Sequence, residues 1–207
     1  MNSIVFDKQT ITPTKVVCVG RNYVDHIHEL NNEIPDEMVI FVKPNSAISK
    51  DLLVGIDEPI HYEAELCFLC QDQSFVGVGL GLDLTKRQLQ SKLKAKGLPW
   101  ERAKSFDGAA VLTSFVAIPT TVEALRFTLK IDDELVQMGD VALMMNTPEA
   151  IRQEIRSFMS LADGDVVMTG TPKGVGVVHG GACFELSLFD GETCIVNQQF
   201  KAMQPTQ

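Results

Sequence analysis

Residues 60–85 read IHYEAELCFLCQDQSFVGVGLGLDLT. In the first part, IHYEAELCFLC (60–70), an extended chain puts His61, Glu63 and Glu65 on one face and Tyr62, Ala64 and Leu66 on the other. The last part, VGVGLGLDLT (76–85), alternates glycine with apolar residues, which predicts a strand with close backbone neighbours. Further strands are expected at KVVCVG (15–20), MVIFVKP (38–44) and GDVVMTG (164–170). FTLKIDDELVQMG (127–139) predicts a hairpin turning at Asp132-Asp133, and CFELSLFDGETCIVNQQF (183–200) one turning at Asp190-Gly191.

Helices are few. One or two turns are expected around 23–30, in a polar segment from Arg21 to Glu37 that reads as a mobile lid rather than core. Thr85 opens a helix with Gln88 at the capping-box spacing, running to Gly97. A third helix has Thr147 as N-cap and Pro148 as its first residue, with Ile151, Ile155, Phe158 and Met159 on one apolar face. Strand-rich order with scattered short helices predicts an α+β fold and one domain over 1–207, not a doubly wound sheet. No GxGxxG sits between a strand and a helix, so dinucleotide binding is not expected.

The 207 residues carry 18 Lys+Arg against 27 Asp+Glu, a formal net charge of −9. An acidic surface argues against nucleic acid or an anionic membrane as partner. No apolar run reaches the roughly 18 residues of a membrane-spanning helix. The N-terminus does not read as a signal peptide, so a cytoplasmic location is expected. The cysteines, Cys18, Cys67, Cys70, Cys183 and Cys194, are expected as small buried hydrophobes in a reducing compartment. Strand alternation points Cys67 and Cys70 to opposite faces.

Three groups of residues can carry chemistry. Glu63 and Glu65 on one strand face, with Asp83 at the end of the glycine-rich run, suit a hard divalent cation such as Mg²⁺; a solvent-facing polar edge gives the same pattern. His26 and Glu29, at i and i+3, suit a carboxylate-oriented general base, or a solvated helix face. TGTPKGVG (169–176) suits a carboxylate-binding loop with Lys173, or a plain connection between strands. Lys104 reads equally as a buried cation or a surface lysine.

Together, GRNYVDHIHEL (20–30), FVKP (41–44), HYEAEL (61–66), GLDLT (81–85), KGLPWERAKSFD (96–107) and TGTPKGVG (169–176) resemble the fumarylacetoacetate hydrolase superfamily, in family order from about Lys15 to about Phe200. The resemblance is to its small acylpyruvase-type members. It implies a mixed β-sheet rolled into a compact sandwich with peripheral helices, usually as a homodimer. It implies Mg²⁺ or Mn²⁺ on Glu63, Glu65 and Asp83, a water-activating dyad in His26 and Glu29, and an enolate-stabilising Lys104. Substrate contacts would come from Arg21, Asn22 and Thr171, with Arg87 and Gln90 also in reach. The larger members' N-terminal domain is not matched, which points away from their substrate. The expected reaction is hydrolytic C–C cleavage of an acylpyruvate, a small anionic α-keto acid. The alternatives are oxaloacetate decarboxylation or keto–enol tautomerisation, a related keto-acid isomerase or hydratase, or a non-catalytic ligand-binding protein.

Overall fold

The computed structural model describes residues 1–29, 35–55, 57–119 and 121–205, with the side chain of His28 excepted. The strands Ala64–Gln71 and Ser74–Asp83 pair antiparallel in the middle of an eight-stranded mixed sheet. On one side follow Val166–Met168, Lys15–Gly20 and Val39–Pro44; on the other, Ala110–Leu112 and Ile48–Ser49, with Val116–Ala117 also pairing with Ser74–Asp83. Val166–Met168 runs parallel to Lys15–Gly20 and antiparallel to Ala64–Gln71, which makes the sheet mixed. A five-stranded sheet, in the order Glu134–Asp140, Leu125–Ile131, Cys183–Asp190, Thr193–Met203 and Leu52–Leu53, packs against it. The result is the expected α+β sandwich with few helices.

Alternation in the strands sets the layers. Leu66, Phe68, Val78, Leu80 and Leu82 meet Phe127, Leu129, Leu186 and Leu188 of the second sheet. On the same face, Val17, Val19 and Val167 are covered by Ile151 and Ile155 of the helix Pro148–Phe158. The opposite face carries Val16, Cys18, Cys67, Leu69, Val166 and Met168, packed by Ile4 and Phe115. Cys67 and Cys70 do lie in different clusters. All five cysteines are free, but Cys194 is exposed and Cys183 only half-buried. The glycine alternation has a packing cause: a Cβ on Gly81 would lie 2.8 Å from Leu112, and one on Gly77 2.9 Å from Phe6.

Several local expectations change. Thr147 caps its helix by accepting from the Ala150 N–H, as expected. Ile151 and Ile155 are fully buried, but Phe158 is 58% exposed. Phe158 closes the helix in phase with Ile151 and Ile155, but this last turn, 156–158, is exposed, while Met159, now extended, packs partly buried against that cluster. Thr85 is no N-cap: it pairs with His61 in a short antiparallel strand, and the helix Arg87–Ala95 starts after Lys86 without a side-chain cap. The turn at Asp132-Asp133 is as expected, both residues having positive φ. The terminal hairpin turns one residue later than expected, at Gly191 and Glu192. The polar segment after Gly20 is not a loose lid in its first part, because Asn22, Tyr23, His26 and Ile27 are buried. Positions 30–34 of that segment lie outside the described residues. No helix among the described residues is long and apolar enough to cross a membrane.

Candidate active site

Glu63 sits where the chain leaves the short strand Ile60–Tyr62 and enters Ala64–Gln71. The chain stays extended, so Glu63 and Glu65 remain on one side. Asp83 ends the neighbouring strand, and its N–H donates to the Glu63 carbonyl at 2.8 Å. Antiparallel register thus brings three buried carboxylates together, with one oxygen of each within 4.8 Å of the others. His61 is only half-buried, does not line the cleft and is not in this group.

Three buried acids need compensation. Lys104, on the short helix Glu101–Lys104, donates to Glu63 Oε2 and Asp83 Oδ2 at 2.8 Å each, and to Thr85 Oγ1 at 2.6 Å. That third bond is why the Thr85 hydroxyl faces inward rather than capping a helix. Lys43 Nζ lies 2.8 Å from Asp83 Oδ1 and donates to the Lys104 carbonyl. Arg87 pairs with Glu63 and donates to Gln90 Oε1 at 3.1 Å. Burial alone would push the Glu63 carboxyl up, but Lys104 and Arg87 hold it well below the usual carboxylate range. Burial would pull the Lys104 ammonium down, but Asp83 and Glu63 outweigh it and raise it. Glu65 is the exception. Burial, then Asp83 and Glu63, drive its carboxyl well up, against the Gly170 N–H at 2.7 Å.

His26 borders the same cleft, and its Nδ1 lies 3.1 Å from Glu29 Oε2. Glu29 in turn accepts from the Gly174 N–H at 2.9 Å. The glycine-rich loop therefore presents its amides to the protein's own acids: Gly170 to Glu65 and Gly174 to Glu29. Lys173 is on the surface, paired with Asp25 at 2.9 Å, and contributes no charge to the cleft lining. Arg21, Arg87, Gln90 and Thr171 line the cleft. The Thr171 hydroxyl is already engaged, donating to the Ala64 carbonyl at 2.8 Å and accepting from Gln137 at 2.9 Å. Asn22 does not line it. Its side chain is fully buried, donating to the Thr169 and Asn146 carbonyls at 2.8 and 3.0 Å and accepting from the Asn146 N–H at 2.8 Å. Asn22 thus orients the backbone around Arg21, which has a left-handed φ of +58°. The space between the lining side chains is about 40 Å³, enough for a few waters.

The profile described as fumarylacetoacetate (FAA) hydrolase C-terminal matches residues 15–200. The chain belongs to this family. Oxaloacetate tautomerase YcgM of Escherichia coli K12 is 37% identical over 200 residues, covering 87% of this chain and 90% of the relative. A crystal structure from Oleispira antarctica, described as a fumarylacetoacetate isomerase/hydrolase, is 35% identical with a TM-score of 0.92, covering 98% of this chain and 100% of its own. Fumarylpyruvate hydrolase from Pseudomonas aeruginosa, in complex with Mn²⁺ and pyruvate, is 26% identical with a TM-score of 0.88, covering 99% and 96%.

Within this family site, sequence reasoning missed Lys43 and Lys94 as charges. Lys43 stood inside FVKP, and its inward orientation depends on the register Val16↔Lys43. Lys94 falls at i+7 from Arg87 and i+4 from Gln90, a helical-face signal that was legible. As to metal, the donor set is three carboxylates with no sulfur or imidazole among them. An all-oxygen, buried, mutually repelling set fits Mg²⁺ or Mn²⁺.

Proposed function

We propose that this protein is a Mg²⁺- or Mn²⁺-dependent keto–enol tautomerase of oxaloacetate. The observation that carries this reading is the Lys104 ammonium, buried between Glu63 and Asp83 at the edge of the cleft. It suits an enzyme whose task is to hold enolate charge. Sequence motifs put acylpyruvate hydrolysis first; the identity to oxaloacetate tautomerase YcgM moves the preference to oxaloacetate.

A divalent ion held by Glu63, Glu65 and Asp83 would supply Lewis-acid polarisation of the α-keto acid. Lys104, whose three N–H donors are engaged by Glu63, Asp83 and Thr85, would act on the C2 oxygen through its fixed positive charge as that oxygen gains charge, the preorganised electrostatic term that dominates such catalysis. His26, oriented by Glu29, would take the proton from C3; the C–H pair becomes the C2=C3 bond and the C2 oxygen is protonated. The reverse order returns the keto form. Arg21 would position the substrate, Thr171 would form part of its wall with the hydroxyl turned to Ala64 and Gln137, and Gln90 would hold Arg87. We also propose that the protein acts as a cytoplasmic homodimer, which sedimentation and localisation measurements would check.

The second reading is acylpyruvate hydrolysis, favoured by the His26–Glu29 pair, since a base beside a carboxylate also activates water. Oxaloacetate decarboxylation shares the enolate but needs no such base. The test follows enol-oxaloacetate by its ultraviolet absorbance, with Mg²⁺ alone and with Mg²⁺ plus protein. The protein should speed ketonisation beyond the ion's own effect, and excess EDTA should abolish the gain. No acceleration, together with cleavage of acetylpyruvate, overturns the tautomerase in favour of the hydrolase.

A further inference from the structure

Lys94 has no acid to answer it among the described residues. Lys43, Lys104 and Arg87 each contact a carboxylate of the triad. Lys94 also lines the cleft, on the same helix face as Arg87 and Gln90, yet no carboxylate lies within ion-pair distance of it among the described residues. Its Nζ instead sits 4.5 Å from the centre of the Trp100 ring. Trp100 in turn packs against Phe41 at 6.1 Å, and Phe41 lies 5.1 Å from Lys104 Nζ. One wall thus runs from Lys104 at the carboxylates, over Phe41 and Trp100, to Lys94.

The surroundings of Lys94 disfavour a resting cation. Burial, then the nearby charges of Arg21, Arg87 and Lys104, pull its ammonium down to about 8, with Glu63 opposing. A lysine wanted only for its stem would place the ammonium in open water. This one is held over an aromatic face in a group of like charges, an arrangement an incoming anion relieves.

We propose that Lys94, braced on Trp100, binds the distal carboxylate of the substrate and so selects dicarboxylic α-keto acids over monocarboxylic ones. This rests on the reading above, in which the α-keto carboxylate end lies at Glu63, Glu65 and Asp83. The charges agree. Three acids face Lys43, Lys104 and Arg87, so a divalent ion together with Arg21 and Lys94 leaves a positive excess that suits a dianion.

The test uses the Mg²⁺-loaded protein and a matched pair of ligands that cannot enolise, 3,3-difluorooxaloacetate and its 4-methyl ester. Calorimetric titration reads affinity without turnover. Wild type should bind the diacid about 10- to 100-fold more tightly than the ester, the range for a hydrogen bond to a charged group. Lys94→Met keeps the stem on Trp100 and should erase that preference by weakening the diacid alone; Lys94→Arg should restore most of it. In turnover, Lys94→Met should raise KM for oxaloacetate and leave kcat within about twofold. Equal affinity of the wild type for both ligands overturns the inference, even if oxaloacetate is tautomerised rapidly. So does equal loss of both ligands in Lys94→Met. If the preference and its loss are seen but no tautomerisation is, the tautomerase reading fails and the Lys94 assignment stands.

Discussion

The strand Val166–Met168 has one buried acid before it and three near its other end, and the two places are built oppositely. Before it, Asp165 accepts from the Thr14 N–H and hydroxyl at 3.0 and 2.7 Å, the Lys15 N–H at 3.1 Å, the Ala162 N–H at 2.8 Å, and the Lys15 ammonium. One carboxylate has five donors, three of them backbone N–H groups and four of them from Thr14 and Lys15, about 150 residues away in the chain. Burial would raise it, yet the Lys15 and Thr14 bonds hold it below the usual range. After the strand, Gly170 gives a single N–H to Glu65, one of three carboxylates crowded within 4.8 Å. A saturated acid ties chain segments together. A crowded one is poised to take a cation, and its fold-stabilising bonds have been traded for chemistry.

The sharpest way to break this contrast is Glu65→Gln. Activity should fall by about 10³-fold or more, because one carboxylate of the proposed metal set is lost. The metal-free protein should keep its Tm, since glutamine keeps the shape and an oxygen for the Gly170 N–H. The measurement is Tm with and without Mg²⁺. A Mg²⁺-induced rise in wild type that survives in the variant would remove Glu65 from the site. Because Glu65 is raised, metal competes with a proton there, so Mg²⁺ affinity should increase with pH.

His26→Ala should lower tautomerisation by about 10²–10⁴-fold, the range for general acid–base catalysis. Lys104→Met should depress tautomerisation and decarboxylation together, because both develop enolate charge. Comparing both rates separates the two roles: a His26 variant that loses both equally would mean that His26 is not a dedicated base.

At the other end of the strand, Asp165→Asn should cost roughly 3 kcal/mol of stability by leaving Lys15 without its partner. Activity per folded molecule should be unchanged. The sign with pH follows from the depressed carboxyl. Its contribution is full above the unfolded value of about 3.9 and is lost as pH falls through the lower folded value. Denaturant unfolding between about pH 5 and 2 reads this, and the variant's curve should be flatter there.

The smallest effect concerns Lys94, which faces Arg21, Arg87, Lys104, Glu63 and the Trp100 ring. Its cation is lost as pH rises through about 8. The kcat/KM for oxaloacetate should therefore decline above that pH by up to about tenfold, while kcat changes less because the bound dianion holds the proton. Lys94→Met should lack the decline.

Much of this was legible in the chain. Glu63 and Glu65 share a face because an extended backbone has a period of two, whatever it pairs with. Thr147-Pro148 starts a helix by local geometry alone, and Asp132-Asp133 turns a hairpin for the same reason. TGTPKGVG suits a carboxylate-binding loop or a plain connection between strands; in the structure Glu65 and Glu29 take its Gly170 and Gly174 amides. Asn22 carried no local sign that Asn146 and Thr169 would consume its amide, since those partners are 124 and 147 residues away. Phe158 is in helical phase with Ile151 and Ile155, but the last turn of the helix lies exposed, which the period alone does not show.

Local rules therefore determined the strands, turns, one helix cap and the shared face of two acids. Only the tertiary structure decided which charges meet. Asp83 reaches Glu63 through strand register, Lys43 reaches Asp83 across the sheet, and Lys104 joins both from a separate helix. Such pairings depend on long-range packing, where a one-residue slip would turn each side chain to the opposite face. Helical spacing alone puts Lys94 beside Arg87 and Gln90, but that no acid among the described residues pairs with it is a property of everything packed around it.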